Sequence, residues 1–518
     1  MATVSAQILP SEDKATAALA RGKPCLLYSE RIADLETPVS VTLKLGSHTP
    51  PCCLLESVEG GKHRGRFSII ALAPDLIWTC HAKTITTRNG NGKILHQAEG
   101  DALVALRQLQ THSRLDIPDS LPPMTAGLFG YFGYEMIQHM EKIPTAKATS
   151  DAVPDTPDAW FMRPTLVVVI DRLKDSMVLA TPLRPAKSKP PAVIYDEGKQ
   201  RLLEAMATLD KPVPDRDPPS KKLPASKAAK PTAKIAEILG ARPNMTKAKF
   251  VARVKTAIDY IKAGDIFQVL LSQRLTRPFA HHPFHFYRTL RRLNPSPFLL
   301  YFDMGEFALV GSSPEILVRL RGNTITIRPI AGTRPRGSTL DEDQALAQEL
   351  LADAKERAEH LMLLDLARND TGRVAAAGSI SLVEHFAIER YSHVMHIASE
   401  VEGQLRDGAD AIDALQAGFP AGTVTGAPKI RAMEIIHELE ASRRGTYAGA
   451  AGYIAANGDM DTCILLRTAL IKNGAMHIQA GAGIVYDSQP EKEFDETINK
   501  AKALLHAAQV ADALAEDR

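Results

Sequence analysis

Two Asn-Gly pairs, Asn457-Gly458 and Asn473-Gly474, constrain this chain more than any other feature. Both sit between runs rich in β-formers. Asn-Gly marks a tight hairpin there, because both turn residues take φ > 0. The runs Tyr447–Ala456, Asp459–Ile471 and Met476–Gln479 therefore read as a three-stranded meander. Its last strand runs into Ala480-Gly481-Ala482-Gly483, a glycine loop whose missing side chains let backbone N–H groups approach a ligand. After Pro490 comes a helix start bearing Glu491, Glu493 and Glu496, acids at the positive end of the helix dipole. Glu493 and Glu496, three apart, share a face. A strand, an anion-sized glycine loop and paired carboxylates in succession suggest an active site.

The 518 residues are enough for two domains. Net charge is +2, and no basic block interleaved with aromatics supports a nucleic-acid partner. The five cysteines, two of them adjacent (Cys52-Cys53), have no metal-ligand or redox spacing and point to a reducing compartment. With no targeting segment and no long apolar run, the expectation is a cytoplasmic protein without a membrane partner.

Residues 26–183 are expected to form a mainly β first domain, with strands such as Cys53–Glu56, Phe67–Ala71 and Pro164–Ile170 and a helix around Asp101–Leu109. Residues 184–243 read as a Pro/Lys-rich solvated linker. It carries Lys221, Lys222, Lys227 and Lys230, and only a short helix-like patch at Gly198–Leu209. A second domain, 244–510, opens with Thr246 as N-cap of an amphipathic helix closed by Gly264. Strands are expected at Ile266–Ser272, Phe307–Val318 and Thr324–Ile330, then a loop with Arg334 and Arg336 beside glycine. One long helix, Asp341–Leu366, carries Glu356 and Glu359 at the spacing of Glu493 and Glu496. The segment Phe419–Ile430 has glycines and Lys429 but not the Gly-to-Gly-Lys spacing of a phosphate loop, so a nucleotide site is rejected.

Two Glu-x-x-Glu faces could jointly hold a hard divalent cation; such faces are also common on solvated helices. Arg467, within an apolar strand, is either paired in the core or aimed at an anion. His396 alone reads as a structural histidine. The residues themselves leave these alternatives open.

Taken in order, Pro329–Arg336, Glu359–Asp370, Ala421–Lys429 and Gln479–Gly483 resemble the chorismate-utilising enzymes, among them component I, the large subunit, of anthranilate synthases. The resemblance covers nearly all of 26–510. It implies an α+β fold of two stacked antiparallel β-sheets flanked by helices. It implies Mg²⁺ held by Glu359 and Glu496, with Glu356 and Glu493 supporting through waters. Gly332, Thr333, Tyr447, Arg467, Gly481, Ala482, Gly483 and Lys500 match positions that hold chorismate, and Thr333 is also counted with the catalytic set. Glu315 matches the general acid and His396 a catalytic histidine. The implied reaction adds ammonia at C2 as the C4 hydroxyl leaves, then eliminates pyruvate from aminodeoxyisochorismate to give anthranilate, the first step of tryptophan biosynthesis. Gln268 stands where water-adding relatives carry lysine, and Ala331 where aminodeoxychorismate synthases carry a nucleophilic lysine.

By the same resemblance, Glu56, Ser57, Asn294, Pro297, Phe298 and Leu299 form a pocket for L-tryptophan as feedback inhibitor. Glu56 would receive the ammonium and Pro297 face the indole. Phe67, Phe298 and Leu299 depart from the usual Tyr, Tyr and Met. None of the cysteines sits in a glutaminase context. Ammonia is therefore expected from solution or from a separate glutamine amidotransferase subunit, component II, in a heterotetramer. A sibling enzyme with a different amino product and a silent tryptophan-binding subunit are the competing readings.

Overall fold

The computed structural model describes residues 7–46, 49–57, 65–144, 154–214, 239–391, 394–440 and 442–516. Its strand ladders are antiparallel. They join 22 strands into one hydrogen-bonded network. This network folds into two layers because its longest pair, Phe67–His81 with Ala159–Asp171, is bent. The register slips between Pro74 and Leu76, and Ala73 takes φ 48°. A proline that cannot donate and an extra residue both turn a strand off its course.

From the first half of that bent pair one layer runs through Cys52–Glu56, Phe298–Asp303, Ala308–Ser313, Thr468–Lys472 and Ala475–Ile484 to Gln268–Pro278. From the second half the other layer runs through Gly127–Phe132, Ala450–Ala455, Met460–Ile464, Ile316–Arg321 and Thr324–Ile327 to Val394–Gln404. Strands from both sides of residues 184–243 thus pair directly in each layer.

Alternate residues of both layers meet in one buried cluster: Val167, Val169, Leu300 and Phe302 from one, Phe129, Tyr131 and Tyr453 from the other. Each large apolar side chain so removed from water contributes roughly 1.5–3 kcal/mol. Helices cover the outer faces. Lys247–Lys262, Pro283–Leu293 and Pro490–Glu516 lie over the first layer, and Ala102–Ser113, Ala354–Gly372 and Ala411–Gly418 over the second. The expected two stacked antiparallel sheets flanked by helices are present, joined by the bent hairpin.

Three local expectations change. The short patch at 198–209 is a 19-residue helix, Pro191–Leu209, and part of the core. Ile194, Gly198, Leu202, Ala205 and Leu209 recur every three or four residues, the spacing of a buried helical stripe. The lysines at 221, 222, 227 and 230 lie outside the described residues. The long helix expected over 341–366 is two, Leu340–Ala352 and Ala354–Gly372, because the Asp353 carboxylate accepts the N–H groups of Lys355 and Glu356 and starts a new helix. The loop with Arg334 and Arg336 is mostly strand, Ile330–Pro335. Both arginines pair with acids of the two helices, Arg334 with Glu349, Asp353 and Glu356, Arg336 with Asp343.

Candidate active site and regulatory cavity

The run Asp459–Ile471 is not one strand. Met460–Ile464 pairs with Ala450–Ala455 in the second layer, while Thr468–Lys472 pairs with Ala475–Ile478 in the first. Both Asn-Gly hairpins form, but the meander expected from them does not, and the chain crosses between layers at Leu465–Arg467. Arg467 is the corner, with φ 46°. A non-glycine residue held there costs of order 1–3 kcal/mol, a strain that concentrates at functional sites. Arg467 lines a cavity of about 200 Å³ together with Glu315, Ala331, Thr333, His396, Thr423, Tyr447, Gly481 and Lys500.

The glycine stretch is also not a loop. It is the second half of the strand Ala475–Ile484, whose partner on one edge ends at Ile478. On the other edge it pairs with Gln268–Pro278, with Leu270 opposite Gly483 and Ser272 opposite Gly481. The Leu270 N–H goes to Thr425 O and the Ser272 N–H to Glu440, so neither faces its glycine. In an antiparallel ladder these are non-hydrogen-bonded pairs, and Gly481 and Gly483 turn their own N–H groups to the open edge, where the Tyr447 hydroxyl meets that of Gly481. A Cβ on Gly481 would come 2.9 Å from both Leu271 O and the Tyr447 hydroxyl. The open N–H edge expected of a glycine loop therefore exists in extended form. Ala482 differs: its side chain packs in the outer core, away from the cavity.

Glu315 is buried beside this edge. Loss of solvent raises its carboxyl from 4.5 to about 8, against the opposing pull of the Thr423 hydroxyl and of Arg467. Thr423 Oγ1 donates to Glu315 Oε2 at 3.3 Å. The group is a proton donor at neutral pH. His396 is its complement. Burial first, with Arg467 adding, holds it below 6.5 against the hydrogen bond to Gly332. Nδ1 lies 2.8 Å from Gly332 O, an acceptor only, which assigns the proton to Nδ1 and leaves Nε2 a free acceptor. Gly332 can present that carbonyl because the ladder slips between Ala331 and Arg334, with Gly332 at φ 66°. The Thr333 hydroxyl is 3.1 Å from the same Nδ1.

Glu356 lies in the first turn of one helix and Glu493 in the first turn of another. Burial raises Glu359, helped by Glu356 and Glu496; burial also raises Glu493, with Glu496 adding. Half-buried acids that repel one another are a donor set short of positive charge. As placed, Glu496 bridges Lys500 at 2.7 Å and Glu356 meets Arg334 at 3.3 Å. Among the described residues no three acid, histidine or cysteine side chains close on a common ligand point. An all-oxygen set fits a hard cation such as Mg²⁺ by chemistry, once Glu496 releases a surface ion pair worth at most ~1 kcal/mol. Lys500 also donates to Gly481 O at 3.0 Å.

Gln268 is buried against Gly483 and does not line the cavity. Its Nε2 would lie 2.6 Å from a Cβ on Gly483, and its Oε1 has no partner.

A second cavity, of about 350 Å³, opens between the layers and is lined by Leu55, Glu56, Ser57, Phe67, Met124, Pro297, Phe298 and Leu299. The Ser57 hydroxyl is buried without a partner. Glu56 is not waiting for an ammonium. It is held by Arg172 at 2.5 Å, by Arg291 and by the Tyr287 hydroxyl, with no exposed side-chain surface. Asn294 ends the helix Pro283–Leu293 and does not line this cavity. It accepts the Ser312 hydroxyl at 2.5 Å, and Ser296 donates to Ser313 O, so this loop is tied to the strand that leads into Glu315. Sequence reasoning missed Thr423, although it lay in a recognised motif. It also missed Arg172 and Arg291, whose partner Glu56 is too distant in sequence for any local signal.

A sequence profile of the chorismate binding enzyme family matches residues 50–506. An anthranilate synthase component 1 from Cereibacter sphaeroides is 48% identical over 494 residues, 95% of this chain and 95% of that protein. The crystal structure of anthranilate synthase component I from Streptococcus pneumoniae TIGR4 superposes with a TM-score of 0.72 at 36% identity, over 86% of this chain and 95% of that one. The menaquinone-specific isochorismate synthase of Escherichia coli, 20% identical with a TM-score of 0.67 over 96% of this chain and 99% of its own, shares the fold. The chain belongs to the chorismate-binding enzyme family, among its anthranilate synthase component 1 proteins.

Proposed function

We propose that this chain is the chorismate-binding component of an anthranilate synthase. It converts chorismate and ammonia to anthranilate and pyruvate through aminodeoxyisochorismate, in the first step of tryptophan biosynthesis. The observation that carries the reading is Glu315, buried and still protonated near pH 7, in a cavity with Arg467, Lys500 and Gly481. Chorismate is a dianion. Two cations and N–H groups on an open strand edge suit its carboxylates without steric cost.

In the first step the C2–N bond forms from ammonia, both ring double bonds shift (C1=C2 to C6=C1 and C5=C6 to C4=C5), the C4–O bond breaks, and the new ammonium at C2 gives up a proton. Hydroxide leaves poorly, so the Glu315 proton goes to the C4 oxygen and water departs. Neutral His396 presents Nε2 as an acceptor for a proton released later. Thr333, beside His396, and Tyr447, under Gly481, hold the ring between them. Mg²⁺, with Glu359 and Glu496 as ligands and Glu356 and Glu493 behind them, would supply positive charge for a substrate carboxylate. Ala331 offers no amine to attack the ring, and Gln268 no general base for water, which favours ammonia as nucleophile.

The second cavity suits tryptophan, with Ser57 offering an unpaired hydroxyl among apolar walls. The ammonium would reach Glu56 only by competing with Arg172 and Arg291, and the Ser296–Ser313 bond gives a short route from this loop to Glu315. The relatives are named component 1, which supports a second component: a glutamine amidotransferase supplying ammonia in a heterotetramer. Among the described residues no helix is long and apolar enough to cross a membrane. A cytoplasmic location fits the five unpaired cysteines.

Product analysis tests the reading. With chorismate, Mg²⁺ and ammonium, anthranilate and pyruvate are expected in equal amounts. Accumulated aminodeoxyisochorismate or aminodeoxychorismate would assign a sibling reaction instead.

A further inference from the structure

Arg444 does not line the cavity and is buried, with 1% of its side chain exposed. Its Nη1 donates to Val424 O at 2.7 Å, and its Nη2 to Leu270 O at 2.8 Å and Glu440 Oε1 at 2.7 Å. Its Nε donates to Glu440 Oε2 at 2.8 Å. Glu440 in turn accepts the Ser272 N–H at 2.7 Å and its hydroxyl at 2.8 Å. The guanidinium lies 5.7 Å from the centre of the Tyr447 ring and 4.8 Å from that of Tyr134.

Three of these contacts, Val424, Leu270 and Tyr447, are themselves residues of the cavity wall. Val424 follows Thr423, which bonds Glu315. Leu270 and Ser272 are the cross-strand partners of Gly483 and Gly481, and their outward bonds are what turn those glycines to the open edge. Tyr447 meets the Gly481 backbone through its hydroxyl. Three walls from distant parts of the chain are thus pinned to one planar group.

We propose that Arg444, locked by Glu440, is a positioning residue for the reaction. It fixes the spacing between the Thr423-supported acid, the glycine edge and Tyr447 without touching substrate. The fork geometry is what qualifies it. A lysine keeps the charge but cannot reach two carbonyls and a carboxylate in one plane. Stability alone is a poor reason for such a pair, because desolvating two charges consumes most of their attraction.

The inference rests on the proposed reaction, so the wild-type chain is the control. If wild type makes no anthranilate, that reading fails; if wild type works and the variants match it, only the positioning role fails. The variants are Arg444→Lys, Glu440→Gln, Thr423→Val and the double Arg444→Lys/Thr423→Val. Each is measured for kcat, KM for chorismate, tryptophan binding and melting temperature. A displacement on the order of 1 Å costs about 100-fold in rate, so Arg444→Lys should lower kcat by about that factor while the variant, though less stable, still melts cooperatively and binds tryptophan. Because both residues act on Glu315 through one loop, the double variant should lose less than the product of the singles. The proposal is overturned if Arg444→Lys keeps kcat within about 3-fold of wild type, or if the two losses multiply independently. It is overturned equally if Arg444→Lys and Glu440→Gln both lose tryptophan binding and cooperative melting, since the pair would then serve the fold alone.

Discussion

Replacing Glu315 by glutamine separates two claims made for one side chain. Glutamine copies the shape of the protonated acid, still accepts the Thr423 hydroxyl, and has no proton to give. Burial raises Glu315 from 4.5 to about 8. Between those values the native state holds a proton that the unfolded chain has lost, so wild-type stability falls as pH rises through the window. At ~1.4 kcal/mol per pH unit, the loss from pH 5.5 to pH 8.5 is roughly 3 kcal/mol. Glu315→Gln does not titrate and escapes it. Thermal unfolding of both proteins at the two pH values should show the variant gaining a few degrees on wild type at the alkaline end. Anthranilate formation by the variant should fall by roughly 10²–10⁴-fold at every pH, the usual worth of a positioned acid. If the melting difference is the same at both pH values, the carboxyl is not raised and the burial argument fails. If turnover survives within a few-fold, another group supplies the proton.

Glu359→Gln should abolish turnover while leaving melting and tryptophan binding intact, and titration with Mg²⁺ should no longer shift the melting temperature. Retained activity would remove Glu359 from the metal assignment. Ser57→Phe fills the cavity between the layers and should relieve tryptophan inhibition with kcat unchanged; an unaltered inhibition curve would place the inhibitor elsewhere. Ala331→Lys puts an amine against the ring carbon where a covalent adduct can form, and mass spectrometry of the chain after chorismate should detect a new species. An unchanged mass and product spectrum would show that this position does not govern the reaction.

Local chemistry was legible where it is local in fact. Both Asn-Gly hairpins, the Thr246 cap and the clustering of Glu315, Thr333, His396, Tyr447, Arg467 and Gly481 follow from turn chemistry or from motifs read in order. The failures share a cause. Arg467 looked like a strand interior because apolar residues flank it, yet those residues belong to strands of different layers. Only the stacking of the layers forces the corner. Asp353 looked like another helical acid, and its capping role depends on which backbone groups it reaches. Glu56 was read as an open acceptor because Arg172 and Arg291 are 116 and 235 residues away. Side-chain spacing along one element is visible in a sequence; the partners that a fold delivers from elsewhere are not.

The most direct measurement is continuous anthranilate fluorescence from the purified chain with chorismate, Mg²⁺ and ammonium at mildly alkaline pH, without any partner. Emission that rises with time, stops on adding EDTA and declines with added tryptophan is the predicted result. Chorismate consumed without anthranilate, or not consumed at all by chain that binds tryptophan, would contradict the assignment of the 200 Å³ cavity as an anthranilate-forming site.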